Sequence, residues 1–304
     1  MSSAQAGSVT FSSSGVEIAG TFAEAAEPVA AALLITGSGK IDRDSDTRRL
    51  HLRVTAEVAQ ALQNARVSSL RFDKRGAGVS GGDFLRAGFT ENLDDARAGL
   101  TWLGAHTDAL PLFAIGHSEG ALHTIQLAAE GRVAGAALLG APARSGEETL
   151  VWQARMIAPT LPGFVRGILR LFHGDIAKSQ RKALDRIRAT HEDVVRIRGA
   201  RLNARWFREF MAYDPTSDLS RITVPVLAIT GGHDLQVPPG DVDAIGHLVR
   251  GEFSGHVAGD LSHLLRPDPE TRGPRGYKRA VKQPVSPEVL SLITEWITAQ
   301  AGKS

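Results

Sequence analysis

Short, continuous apolar runs alternate along the chain with stretches in which apolar residues recur at helical spacing. The runs lie within "VAAALLITGSG" from Val29, "LPLFAIGHS" from Leu110, "VAGAALLGAP" from Val133 and "RITVPVLAITGGHD" from Arg221, and "VSSLRFDKRG" from Val67 reads as a further strand. A strand with one wet face alternates apolar and polar positions, whereas a strand covered on both faces reads as an unbroken apolar run. Helical spacing is found over residues 46–64, 90–105 and 119–130. Buried strands alternating with helices through short Gly-rich joins predict an α/β domain with a mostly parallel, doubly wound sheet flanked by helices. Ahead of it, "SVTFSS" and "VEIAGTFAE" flank a Ser-Gly pair and predict an N-terminal hairpin.

The alternation stops between residues 146 and 212, a segment that reads as several helices broken at "APTLPG" and "FHGD". After "RITVPVLAITGGHD" the pattern resumes, with a helix near 239–248, a strand in "GEFSGHVAG" and a last helix over 286–300; residues 266–284 read as a Pro-rich basic loop. The expected organisation is a core built from residues 1–145 and 213–304, with residues 146–212 as a helical cap inserted into it.

Composition narrows the chemistry more than the fold. The 304 residues include no Cys, which excludes a disulfide framework, thiolate metal sites and a cysteine nucleophile. The segment "TGSGKIDR" after the first long strand lacks the G-x-G-x-x-G spacing of a dinucleotide site. No cofactor and no metal is expected. The opening "MSSAQAGSVTFSSSG" has neither a basic nor an apolar leader region, and no apolar run reaches the length of a membrane span, so a soluble, cytoplasmic protein is expected. Formal charge is +2, but residues 146–212 hold thirteen Lys and Arg against seven Asp and Glu. That excess reads as solvated helix faces rather than a nucleic-acid surface, since no recognition motif accompanies it.

The motif G-x-S-x-G occurs twice, around Ser80 and around Ser118. A nucleophile elbow needs the serine on a sharp turn that joins a strand directly to a helix. Ser118 has that context, with "LPLFAIGHS" before it and "EGALHTIQLAAE" after it. Ser80 follows its strand at a distance and precedes no helix, so "GAGVSGG" reads as a loop. A serine needs a base oriented by a carboxylate. Asp234 closes a buried strand, while Asp241 and Asp243 lie beyond Pro238-Pro239, in or near a helix. His263 follows the last strand; His256 would sit inside that strand, and His233 precedes the acid. Asp260 is an alternative acid. The expected catalytic set is therefore Ser118, Asp234 and His263. The oxyanion donors are expected to be the backbone N–H groups of Glu119 and Ser38, with Gly39 as second choice to Ser38.

Together "TGSGKIDRDSD", "RFDKRGAGVSGG", "GHSEGA", "GGHDLQVP" and "LSHLL" make the chain resemble the α/β-hydrolase superfamily over about residues 20–300, and more narrowly bacterial serine carboxylesterases of the EstD type. The resemblance implies the α/β-hydrolase fold, hydrolysis of short acyl esters, Ser118, Asp234 and His263 as triad, and a site-shaping role for the loop Asp73–Gly76. The Arg-rich cap leaves substrate preference open. Aminopeptidase or thioesterase chemistry on the same triad stays possible, as does a non-catalytic ligand-binding protein on this fold. The expected partner is a small-molecule ester.

Overall fold

The computed structural model describes residues 5–160, 176–197, 199–271 and 273–303. Ten strands and the helices between them are described. One eight-stranded sheet has the order β1 (Gln5–Ser13), β2 (Val16–Glu24), β4 (Val67–Phe72), β3 (Ala30–Ile35), β5 (Leu112–His117), β6 (Gly135–Leu139), β9 (Val226–Gly231), β10 (Phe253–Ala258). From β4 to β10 neighbouring strands run parallel, and the hairpin β1–β2 adds an antiparallel edge through β2–β4.

The continuous apolar runs divide their side chains between two cores. Ala31, Leu33, Ala114 and Leu138 face one side, where they pack with Leu93 and Ala96 of helix α2 (Phe89–Ala105) and with Leu122 and Ile125 of α3 (Glu119–Ala129). Their neighbours Ala32, Leu34, Ile115 and Leu139 face the other side, against Val58 and Leu62 of α1 (Val54–Asn64) and Ile293 of the last helix (Pro287–Ala301). Strand side chains alternate between faces, so a run apolar at every position must be covered twice. Leu33 and Leu34 are both fully buried, and each such side chain stabilises the fold by about 1.5–3 kcal/mol relative to exposure.

Two boundaries differ from expectation. The helix expected from residue 46 begins at Val54. Before it, the Asp46 carboxylate accepts from the Arg53 N–H at 2.9 Å and from His51 Nδ1 at 2.7 Å, and Arg53 has φ 53°. Side-chain bonds of this kind satisfy the backbone in a turn and compete with helix formation. The basic loop 266–284 contains a short helical turn over Tyr277–Ala280.

Between β6 and β9 lie α4 (Gly146–Ile157), α5 (Ile176–Ala189) and α6 (Ala204–Ala212). Besides helices, the segment holds an antiparallel hairpin, β7 (Val194–Ile197) with β8 (Ala200–Asn203), which pairs Val195 with Leu202. Leu184, Ile187, Val195, Ala204 and Met211 form a small core of their own there. Asn203 caps α6 by accepting from the Trp206 N–H at 2.9 Å, and its amide donates to the Phe84 and Ala87 carbonyls at 2.8 and 2.7 Å. This anchors the segment to the loop ahead of α2. Among the described residues, no helix is long and apolar enough to cross a membrane.

Candidate active site

The strand order reverses at β3, whose two neighbours are β4 and β5. The loops leaving the C-terminal ends of β3 and β5 therefore meet in the crevice where open α/β sheets place their ligands. Ser118 lies there, between the end of β5 and the start of α3, with φ 58° and ψ −118°. A non-glycine residue rarely takes such angles, and holding it costs on the order of 1–3 kcal/mol. Its surroundings enforce the turn: the Ser118 N–H donates to the Leu139 carbonyl at 2.8 Å. The flanking glycines are required by space. A Cβ at Gly116 would lie 2.1 Å from the Gly120 carbonyl oxygen, and one at Gly120 would lie 2.2 Å from that of Ile35.

Asp234 follows β9 and His263 follows β10. The His263 Nδ1–H donates to Asp234 Oδ2 at 2.6 Å, with both side chains buried. Asp234 Oδ1 is occupied separately, accepting from the Gln236 and Val237 N–H groups at 2.7 and 3.0 Å. The pair packs against the end of β6, the strand that pairs with β5. A Cβ at Gly140, the residue after β6, would lie 3.1 Å from His263 Cε1 and 3.5 Å from Asp234 Oδ2. His117, directly before Ser118, donates from Nε2 to the His263 carbonyl at 2.8 Å, and the two rings are 4.8 Å apart.

The rival residues are engaged elsewhere. The Ser80 hydroxyl donates to the Asp73 carbonyl at 2.8 Å and accepts from the Ala19 N–H at 2.9 Å, which makes it a brace for the Asp73–Gly76 loop. Asp241 is paired with Arg144, Asp243 and Asp260 are exposed, His256 lies within β10, and His233 Nδ1 donates to the Asp268 carbonyl.

Burial, and secondarily the His263 ring beside it, hold the His117 imidazole down at about 3, against an ordinary 6.5. His117 is thus neutral at physiological pH and remains an N–H donor to the His263 backbone. As pH falls from about 6.5 toward 3, the unfolded chain takes up a proton here that the folded chain does not, so stability declines through that window. Urea unfolding of His117→Gln between about pH 6.5 and 4.5 should show a shallower loss, by up to about one proton in slope. Parallel slopes in the two proteins would contradict the depressed value.

Ser38, in the loop after β3, and Glu119, the first residue of α3, both line a cavity of about 370 Å³. Among the described residues no protein acceptor takes up either backbone N–H. The β3 loop reaches the turn at Ser118 directly, since a Cβ at Gly37 would lie 3.2 Å from Ser118 Cβ. Further lining comes from Lys74, Asn92, Leu150, Trp206 and Phe207, among others.

The Glu119 side chain points into a polar cluster that the sequence did not reveal. Lys74 Nζ donates to Oε2 at 3.1 Å, and Oε1 accepts from Asn92 Nδ2 at 2.8 Å, Trp206 Nε1 at 3.1 Å and His123 Nε2 at 3.4 Å. Burial raises the Glu119 carboxyl, but Lys74, His123 and Trp206 outweigh it and hold the group well below the usual carboxylate range, so it is ionised. Only the His123 contact, at helical i,i+4 spacing, is local enough to be anticipated from sequence.

A family model described as serine aminopeptidase, S33, matches residues 48–268. Esterase EstD of Thermotoga maritima is 26% identical over 284 residues, 91% of this chain; the chain spans 64% of that relative's length. Among solved structures, Est1E from Butyrivibrio proteoclasticus with bound ferulic acid is similar at TM-score 0.65 and 17% identity, covering 97% of this chain and 99% of that one. Proline iminopeptidase of Mycobacterium smegmatis is similar at TM-score 0.64 and 16% identity, with the same coverage of both chains. The Pyrococcus furiosus esterase Pf2001 reaches 0.60 at 15% identity, covering 97% of this chain and 90% of its own. At such identities the structural likeness speaks for the fold alone.

Proposed function

Because the chain belongs to the serine aminopeptidase S33 family and has the α/β-hydrolase fold, we propose that it hydrolyses small carboxylic esters through an acyl-enzyme formed on Ser118. The observation that carries this reading is the buried His263–Asp234 pair, whose imidazole lies 4.8 Å from the His117 ring directly before the strained turn at Ser118. His263 Nε2 takes the Ser118 hydroxyl proton as Oγ attacks the ester carbonyl, while Asp234 holds Nδ1–H and stabilises the imidazolium. The developing oxyanion is received by the Ser38 and Glu119 N–H groups, which lack other acceptors among the described residues. His263 then protonates the departing alkoxide, and water enters by the reverse route to release the acid.

An ester is favoured over an aminoacyl substrate by the cavity's charges. Recognition of a free α-ammonium calls for an unengaged carboxylate. Among the described lining residues Glu119 is the one carboxylate, and four side chains already occupy it; the other charged groups are Lys74 and Arg201. A volume of about 370 Å³ accommodates a small-molecule ester. In this reading residues 146–212 are a cap that supplies the outer wall. Trp206 and Phe207 line the cavity, whereas Met211 is buried in the segment's own core; Trp152 is half-buried and Met156 exposed. Phe164, Leu169 and Phe172, further apolar residues of the segment, lie outside the described residues.

A substrate panel tests the reading. p-Nitrophenyl acetate and butyrate should be turned over in the presence of a chelator, and aminoacyl p-nitroanilides far more slowly. Faster cleavage of the anilides would assign an aminopeptidase instead. Loss of activity on chelation, restored by zinc or manganese, would contradict a purely organic triad.

A further inference from the structure

The residue after the nucleophile has two ends in different roles. In the reaction proposed above, its backbone N–H serves the oxyanion; its carboxylate gathers Lys74 from the loop after β4, Asn92 from α2, His123 from α3 and Trp206 from α6. Burying a charge this completely costs several kcal/mol before pairing repays it, and Lys74 with its 3.1 Å contact would be enough to hold an ion pair. The additional donors are what distinguish this cluster. Three of the four belong to the α/β core, and Trp206 alone comes from the segment between β6 and β9.

Trp206 also lines the cavity, beside Phe207 of the same helix. Its indole stacks on Phe210, at 4.8 Å and 9° between planes, and stands edge-on to Phe207 at 5.0 Å. Aromatic packing of this sort leaves a ring room to slide, since its energy varies slowly with offset. A hydrogen bond from Nε1 to a fixed, ionised carboxylate does not. Glu119 is fixed from below, because its backbone begins α3 directly after the constrained Ser118 turn.

We infer that the Glu119 carboxylate is a positioning residue that latches the Trp206 indole at a set distance from Ser118, making Trp206 the wall that limits acyl length. The inference rests on the ester-hydrolase reading and adds the determinant of chain length to it. A hydrogen bond to a charged acceptor discriminates strongly against its absence, so losing the latch lets the ring tilt and the cavity lengthen. Selectivity, measured as the ratio of kcat/KM for a short ester to that for a long one, should then fall.

The test uses p-nitrophenyl esters from acetate to dodecanoate with the wild type, Trp206→Phe, Glu119→Gln and the double variant. Trp206→Phe keeps a ring and removes the donor. It should lower the butyrate-to-decanoate ratio about tenfold. Glu119→Gln should move the ratio in the same direction, and the double variant should go no further than Trp206→Phe alone. An unchanged ratio in Trp206→Phe would overturn the latch, as would additive effects in the double variant, which would mean that the two residues act separately. Should Glu119→Gln fail to fold because Lys74 is left unpaired, Trp206→Phe still decides the matter by its ratio. Fluorophosphonate labelling of the wild type keeps the two failures apart: an unlabelled Ser118 removes the ester-hydrolase reading, whereas a labelled, active enzyme with an unmoved ratio removes the latch alone.

Discussion

Ser118→Ala should lose kcat by a factor on the order of 10⁴ to 10⁶, while Ser80→Ala retains most of the wild-type rate. Both serines sit in the same five-residue motif, so the contrast depends on where the fold puts each hydroxyl. Ser118 stands on a turn with φ 58°, and its side chain caps nothing in α3. Ser80 spends its hydroxyl on the Asp73 carbonyl and the Ala19 N–H. Removing it leaves a part-buried acceptor and donor without partners, which should cost about 1–3 kcal/mol of stability rather than catalysis. Steady-state kinetics on p-nitrophenyl butyrate, paired with thermal melts, separates the two outcomes. Comparable rate losses from both substitutions would show that the elbow has been assigned to the wrong motif, and a Ser118→Ala enzyme that still turns over ester would remove the acyl-enzyme altogether.

Asp234→Asn should be nearly as severe, lowering kcat on the order of 10⁴ with little change in melting temperature. The two carboxylate oxygens have separate duties, and that dictates how an amide must sit. Oδ1 accepts from the Gln236 and Val237 N–H groups, so the amide oxygen has to take that place. The NH₂ then faces His263 Nδ1, where Oδ2 stood at 2.6 Å. Two donors cannot share that contact, and the imidazole must move its proton to Nε2. In that tautomer Nε2 has no lone pair with which to receive the Ser118 proton. Asp241→Asn and Asp260→Asn provide the controls. The first weakens the pair with Arg144 and the bond from the Ala143 N–H, so it should lower stability more than rate; Asp260 is exposed, and its substitution should do little to either. A large rate loss in either control, with Asp234→Asn active, would reassign the acid.

Much of this arrangement can be read from the chain because it rests on local pattern. Continuous apolar strands, the glycines around Ser118 and the positions of Asp234 and His263 at strand ends are each visible within a few residues. What could not be read rests on side-chain bonds and pairings that the apolar pattern does not report, some local and some between distant segments. The start of α1 is displaced because Asp46 bonds to Arg53 and His51 in place of a helical turn. The hairpin β7–β8 hides in "VVRIRGARLN", where four-residue strands carrying Arg give no clear alternation, and where partners close by within the segment make its strands viable. Nothing near His117 announces its bond to the His263 backbone, 146 positions away, and beyond His123 nothing near the Glu119 carboxylate announces its cluster, which meets Trp206 across 87 positions.

The small core of Leu184, Ile187, Val195, Ala204 and Met211 bears on how such a protein diversifies. Since these side chains bury one another, substitutions among them perturb the segment between β6 and β9 before they perturb the sheet. Among the described residues its ties to the scaffold include Asn203 on the Phe84 and Ala87 carbonyls, Glu209 on the Thr90 N–H, Arg205 paired with Glu91, Phe210 in the main core and Trp206 on Glu119. A lineage could therefore rewrite most of the segment, or exchange it for another, while keeping those anchor positions and leaving the turn at Ser118 untouched. On the proposed reading, substrate range and bond-breaking chemistry would then be inherited separately.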